Sequence, residues 1–252
     1  MQPPQMHAPF EAADGVAVLP AWLPVPGMGV LPANAFLIED REPILVDAGV
    51  GVLAEPFVAA LRTLIAPERL RWIWLTHMDP DHTGALGELL SAAPEARLVT
   101  TFLGAGKLGL SGVSPERIQV VEAGETLALG ARTVTAVRPP YFDAPETIGL
   151  ADRDNGLLFC ADAFGAVAAA PADSLGEAAL AQGMAVWARL DTPWLGDLDP
   201  ARFERALAQV AELSPRTVLS AHLPPARDMT AALLEAARTA QQASRAPRAA
   251  AA

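Results

Sequence analysis

The segment Thr76-His77-Met78-Asp79-Pro80-Asp81-His82-Thr83-Gly84 limits what this chain can fold into more than any other. It follows Trp72–Thr76 (WIWLT), an apolar run that reads as a buried strand. Four metal-capable side chains, at 77, 79, 81 and 82, fall within six residues. On a helix or a strand they cannot all point one way, whereas a loop can converge them, and Pro80 and Gly84 favour a loop. Two imidazoles and two carboxylates packed in an interior are costly unless a cation compensates. A divalent metal, or two, is the simplest compensator. Histidine is also scarce: the chain has four, His7, His77, His82 and His222. All but His7 stand directly after an apolar strand or in the loop that follows one.

The rest of the chain alternates short β-rich runs with Ala/Leu-rich amphipathic stretches. Asn34–Glu39 and Pro43–Asp47 read as a strand pair, and Phe57, Leu61 and Leu64 mark a helix over 56–65. Ala85–Leu90 is expected to be a short helix and Arg97–Thr101 a strand. Between Arg117 and Pro139 three β-like runs are punctuated by Gly124 and Gly130. Gly156–Ala161 is a buried strand ending at Asp162, and Thr217–Ala221 is the last strand expected. Helices are expected over Ser174–Arg189, Asp199–Leu213 and Asp228–Gln242, the first opened by a Ser174/Glu177 capping box. These elements make one α/β domain of two sheet-plus-helix halves, over 16–242. Residues 1–15 are expected to form an N-terminal arm, and 243–252 an Ala-rich tail.

Composition removes several function classes. A net charge of −11 and a single lysine, Lys107, argue against a nucleic-acid binder, which needs clustered cations. One cysteine, Cys160, gives no disulfide scaffold. Residues 1–10 lack the pattern of a signal peptide, and every apolar stretch is interrupted before the roughly 18 residues of a membrane span. A cytoplasmic protein without membrane or nucleic-acid partners is expected.

A strand ending in Thr-His, then x-[His/Glu/Asp]-x-Asp-His and a glycine, resembles the metallo-β-lactamase superfamily, and the resemblance runs over about residues 16–225. Asn34–Ile38 with Ile44–Gly49 is similar to the family's opening strand pair. Leu158–Asp162 is similar to the strand delivering a bridging aspartate, and Val218–His222 to that delivering the last histidine. The resemblance implies an αββα sandwich, two mixed sheets flanked by helices, with a dinuclear metal site between the sheets. Acidic Asp79, Asp162-Ala163-Phe164-Gly165 and Asp143-Ala144-Pro145-Glu146 resemble the flavodiiron branch. Asp79 and Asp143 stand where that branch has Glu and His. In 252 residues there is no room for the flavodoxin-like domain that branch uses, so the chain looks more like its stand-alone oxygen-binding diiron relatives.

Carried over, the family's ligands place His77, Asp79 and Asp143 on metal one, and Asp81, His82 and His222 on metal two, with Asp162 bridging. The set's four carboxylates balance two divalent ions. Carboxylate-rich donors favour iron or manganese over zinc. Asp79 is also a candidate base for a bound water. Tyr141, the only tyrosine, stands two residues before Asp143 and could donate a hydrogen bond into the site, or simply pack beside Phe142. Asp47 reads as a structural hydrogen-bond acceptor and His7 as incidental. Residues 163–173 could form a flap or an ordinary connection.

Two iron ions, with zinc or manganese as alternatives, would make this a protein that binds or reacts with O2 or a related diatomic, drawing electrons from an external donor. The alternative is a metal-dependent hydrolase of an ester, lactone or thioester, using a hydroxide between the metals. A degenerate relative serving as a binding module is the third reading. A small-molecule ligand or substrate and homo-oligomeric assembly are expected.

Overall fold

Strands in this chain are apolar on both faces, which a sheet tolerates only when covered on both sides. The computed structural model, which describes residues 3–167 and 176–245, resolves this as four layers. The first sheet holds β1 (Gln5–Met6), β2 (Phe10–Ala13), β3 (Val16–Val25), β4 (Gly29–Ile38), β5 (Ile44–Val46), β6 (Trp72–Trp74), β7 (Arg97–Thr100) and β8 (Ile118–Val120). Its order is β1-β3-β4-β5-β6-β7-β8, with β2 also on β3. The second holds β9 (Thr126–Leu129), β10 (Arg132–Val137), β11 (Gly149–Asp152), β12 (Leu157–Phe159), β13 (Thr217–Ser220) and β14 (Leu223–Arg227), in the order β14-β13-β12-β11-β10-β9. β5 through β8 pair in parallel, and so do β12 and β13; the other pairings are antiparallel.

Period-two alternation sorts the side chains into layers. Phe36, Ile38, Ile44, Val46 and Trp74 meet Ile148, Leu150, Phe159 and Leu219 between the sheets. On the first sheet's outer face Leu37, Leu45, Ile73 and Leu98 pack under three helices. These are α1 (Ala54–Leu64), α3 (Leu86–Ala92) and α4 (Phe102–Leu110), α2 being the one-turn helix Pro80–Thr83. Leu158, Cys160 and Val218 do the same on the second sheet, under α5 (Glu177–Asp191), α6 (Pro200–Leu213) and α7 (Thr230–Arg245). The αββα sandwich and its two mixed sheets are thus observed.

Several elements differ from the expectation. Within segment 1–15, read as an N-terminal arm, β1 and β2 pair with β3. β3 itself carries Pro20 and Pro24, residues that read as breakers, yet it pairs with β4 along its length. β14 follows the strand expected to be last. Its Pro224 and Pro225 lie on an edge strand where the register with β13 shifts between Val218 and Ser220, so the ladder is already irregular there. α4, with three glycines in nine residues, gave no helical signal. The Ser174 cap and much of the 163–173 flap lie outside the described residues. Among the described residues no helix is long and apolar enough to cross a membrane.

The chain's only lysine has a structural task. Lys107 on α4 pairs with Glu146, whose side chain is fully buried. Thr101 and Arg138 also hold the 145–147 backbone, the segment that leads away from Asp143. Removing the cation strands a buried carboxylate, which is strongly destabilising for a fully buried pair and less so here because Lys107 is half-exposed. Lys107→Ala is expected to lower stability by about 2 kcal/mol in urea unfolding. Adding Glu146→Gln should restore most of it; no loss in the single variant would mean the pair is not coupled.

Candidate metal centre

Each strand that reads as buried to its end delivers a polar side chain to one place, the C-terminal mouth between the sheets. After β6, His77 is fully buried, and Asp79 then caps the N-terminus of α2 without its side chain bonding the backbone. Pro80 suits the first position of that turn, so the expected loop is instead a helical turn that presents Asp81 and His82. Gly84 permits it for want of space: a Cβ there would come within 2.0 Å of the Gly51 nitrogen. The 82–85 backbone bonds that of 48–49 across this contact.

The imidazoles converge on Asp162. His82 Nε2 lies 3.1 Å from its Oδ1, and His77 Nε2 and His222 Nε2 each lie 3.4 Å from its Oδ2. Asp143 Oδ2 is 3.6 Å from His77 Nε2, and Asp81 Oδ2 is 3.5 Å from His222 Nε2. Three chelating groups result: His77 with Asp79 and Asp143; Asp81 with His82 and His222; and His77 with His82 and Asp162. Within each, one donor atom per residue lies within 4.8 Å of the others. All seven residues expected as ligands are thus brought together, with Asp79 the exposed member.

The opposite ring nitrogens are held from behind. Asp47 bonds the Nδ1 of His82 at 2.8 Å through one oxygen, and its other accepts from the Thr76 amide and hydroxyl. His222 Nδ1 donates to the Pro32 carbonyl at 2.7 Å, and Thr76 Oγ1 lies 3.1 Å from His77 Nδ1. Such partners fix each ring so that Nε2 faces the centre. Asp47, read as a structural acceptor, does this at a left-handed φ of 62°. Ala161 and Phe164, flanking Asp162, are left-handed too, the kind of backbone strain that clusters at functional sites. Asp47→Ala is expected to weaken metal binding at the His82 side by about 10–100-fold. Isothermal titration of the metal-free variant measures this, and an unchanged affinity would remove Asp47 from the centre.

Four buried atoms in this cluster have no hydrogen-bond partner: His77 Nε2, His82 Nε2, Asp143 Oδ1 and Asp162 Oδ1. Leaving such atoms unpaired costs free energy that bound cations would recover. The donor set, imidazole and carboxylate, fits two metal ions.

Without metal, protons balance the charges. Burial pushes the His82 ring down, but Asp162, Asp81 and Asp47 outweigh it and hold it well above its usual range. His222 goes up to about 9, because Asp162 outweighs burial. Asp162 is held well below the carboxylate range: burial opposes this, but His222, His82 and His77 prevail. Asp143 moves up through burial, with His77 opposing.

Tyr141 is buried, and its hydroxyl accepts the Phe164 amide at 2.6 Å. Burial raises its pKa, so it stays a phenol. His7 stacks on Trp22, with ring centroids 3.9 Å apart, and belongs to none of the chelating groups. Two further residues stand near the centre one turn apart on α5: Trp187, a tryptophan of the kind expected to line a core or pocket, and Asp191, which was not anticipated. Trp187 packs edge-on to His222, with ring centroids 5.0 Å apart, and over Gly165, where a Cβ would come within 2.7 Å of its ring. Asp191 forms a fourth group with Asp143 and Asp162, and burial and the Asp162 charge push it up to about 8. One sequence signal existed: an acid in a helix's last turn opposes the dipole.

The sequence profile of the metallo-beta-lactamase superfamily matches residues 28–222. Rubredoxin-oxygen oxidoreductase from Megalodesulfovibrio gigas is 30% identical over 133 residues, 52% of this chain and 33% of that protein. Anaerobic nitric oxide reductase flavorubredoxin from Salmonella arizonae is 29% identical over 134 residues, 52% of this chain and 28% of that protein. The crystal structure of the flavodiiron protein from Giardia intestinalis superposes with a TM-score of 0.77 at 18% identity, over 95% of this chain and 60% of that one. The chain therefore spans about a third of these curated relatives' length, within their metallo-β-lactamase-like part. With every residue of the centre from 77 to 222 inside the matched segment, this chain belongs to the metallo-β-lactamase superfamily, and its relatives include flavodiiron proteins.

Proposed function

We propose that the chain is the metal-holding core of a flavodiiron-type protein that binds or reduces O2 or NO at two iron ions. His77, Asp79 and Asp143 would hold one iron, Asp81, His82 and His222 the other, with Asp162 shared. The observation that carries this reading is the set of unpartnered buried donor atoms around Asp162. Acids at 79 and 143 supply oxygen donors, which suit iron or manganese better than zinc. The irons, once reduced, would supply the open coordination position for the diatomic and the electrons for its reduction.

The chain's own residues prepare that site. Asp47 and the Pro32 carbonyl orient His82 and His222, while Trp187 and Gly165 close the centre beside His222. Tyr141 braces the turn after Asp162 by accepting the Phe164 amide, which leaves its own O–H free to donate. The names of two relatives, an oxygen oxidoreductase and a nitric oxide reductase, support a diatomic substrate. Electrons would come from a donor outside the metallo-β-lactamase fold.

The test is gas consumption by the iron-loaded protein with photoreduced methyl viologen as donor. Iron-dependent consumption of O2 or NO, lost in His77→Asn, is the expected result. An iron-loaded protein that neither binds nor consumes either gas would contradict the proposal, and hydrolysis of an ester or lactone by the zinc-loaded form would replace it.

A further inference from the structure

Asp191 is the last residue of α5, and it reaches the centre from the second sheet's helical layer. Its carboxylate, with those of Asp143 and Asp162, forms a triad whose donor atoms lie within 4.8 Å of one another. Among the described residues no arginine or lysine pairs with any of the three. Imidazoles lie within ion-pair distance of Asp143 and Asp162, but none does so of Asp191. Asp162, itself over nine-tenths buried, leaves Oδ1 without a hydrogen bond, and Asp143 leaves its Oδ1 bare as well. Three carboxylates sharing one pocket, two with a bare oxygen and Asp191 with no ion-pair partner, describe a place for a positive ion.

We propose that Asp191 is an eighth protein donor of the centre, a carboxylate ligand to the metal held by His77, Asp79 and Asp143. The proposal rests on the two-metal reading above and adds a residue to it. α5 is built to hold this donor in place: Trp187, four residues earlier on the same face, is wedged between Gly165 and His222. The Thr192 amide, bonded to the Ala188 carbonyl, closes the helix directly after Asp191.

The added ligand changes what the centre prefers. Metal one would have a single nitrogen donor, His77, against four carboxylates, a hard oxygen-rich set that favours iron or manganese over zinc. The whole centre would carry five carboxylates. Two divalent ions would leave it at −1, whereas one divalent and one trivalent ion would neutralise it. Asp191 therefore tunes the centre toward a mixed M2+/M3+ pair.

Anaerobic titration of the metal-free full chain with Co2+ tests this, following dissociation constants and visible d–d bands. The parent protein should bind two Co2+. Asp191→Asn should still bind one tightly, lose affinity for the other by about 100-fold or more, and change the band intensities as a donor is lost. Asp191→Glu keeps the charge but moves the oxygens by one methylene; it should restore most of the affinity with shifted bands. Unchanged affinities and bands in Asp191→Asn would overturn the proposal while leaving the centre intact. If Asp191→Asn fails to fold by circular dichroism, unchanged bands in Asp191→Glu would overturn it equally. A parent protein that binds no Co2+ would overturn the two-metal reading itself, and the role of Asp191 with it.

Discussion

Asp162→Ala is expected to strip both metals from the protein at once. No other ligand has this reach. Asp162 faces all three imidazoles at 3.1–3.4 Å, through both of its oxygens. In the metal-free protein it supplies the charge that keeps His82 and His222 protonated. In the loaded protein it would be the donor common to both ions. Loss of an outer partner alone costs about 10–100-fold in metal affinity, so loss of the shared carboxylate should cost more than that at each site. The fold should survive, because the deprived imidazoles can release their protons instead of staying buried and charged. Elemental analysis and circular dichroism check both halves of this expectation. A folded variant that keeps two metals per chain would show that the centre is assigned to the wrong residues. Asp143→Ala is the contrast: only the His77 side should be lost.

The second large effect is on pH. His222 is raised to about 9 and His82 lies well above its usual range, so both rings carry protons at neutral pH in the metal-free protein. A metal binds the neutral ring, so each must lose its proton first. Affinity at the Asp81/His82/His222 site therefore rises with pH while both rings are protonated, and the rise slackens as His222 titrates near 9. With two protons displaced, the rise should approach about 100-fold per pH unit below both pKa values. Metal titrations at several pH values, in two buffers of different ionisation enthalpy, give both the slope and the proton count. A flat profile from pH 6.5 to 9 would mean that the rings are already neutral and that the charge balance described here is wrong.

Much of this centre could be read from the chain because both sheets are covered. A strand such as Trp72–Trp74 or Leu157–Phe159 must be apolar on both faces, so the first polar residues after it stand out. His77, Asp162 and His222 were legible for that reason, and Asp47, after β5, for the same one. Proline misled in the opposite direction. β3 and β14 contain it and still pair, because β3 borders only short partners on one side and β14 is an edge. α4 was invisible because its helix is set by packing over β8 against poor intrinsic propensity. That Trp187 and Asp191 meet at the centre was not legible, for another reason. They follow Asp162 by 25 and 29 residues, and they reach the centre only because α5 folds back over the second sheet. No local spacing encodes that return.

Chemistry of the proposed kind requires two iron ions held by these side chains. Protein purified without oxygen and without added metal should contain about two irons per chain, and a charge-transfer band should appear on exposure to air as the irons oxidise. Asp162→Ala, prepared in the same way, should show neither. Two zincs with no spectral change in air would contradict the iron centre, and a metal-free protein that cannot be reconstituted would contradict the centre altogether.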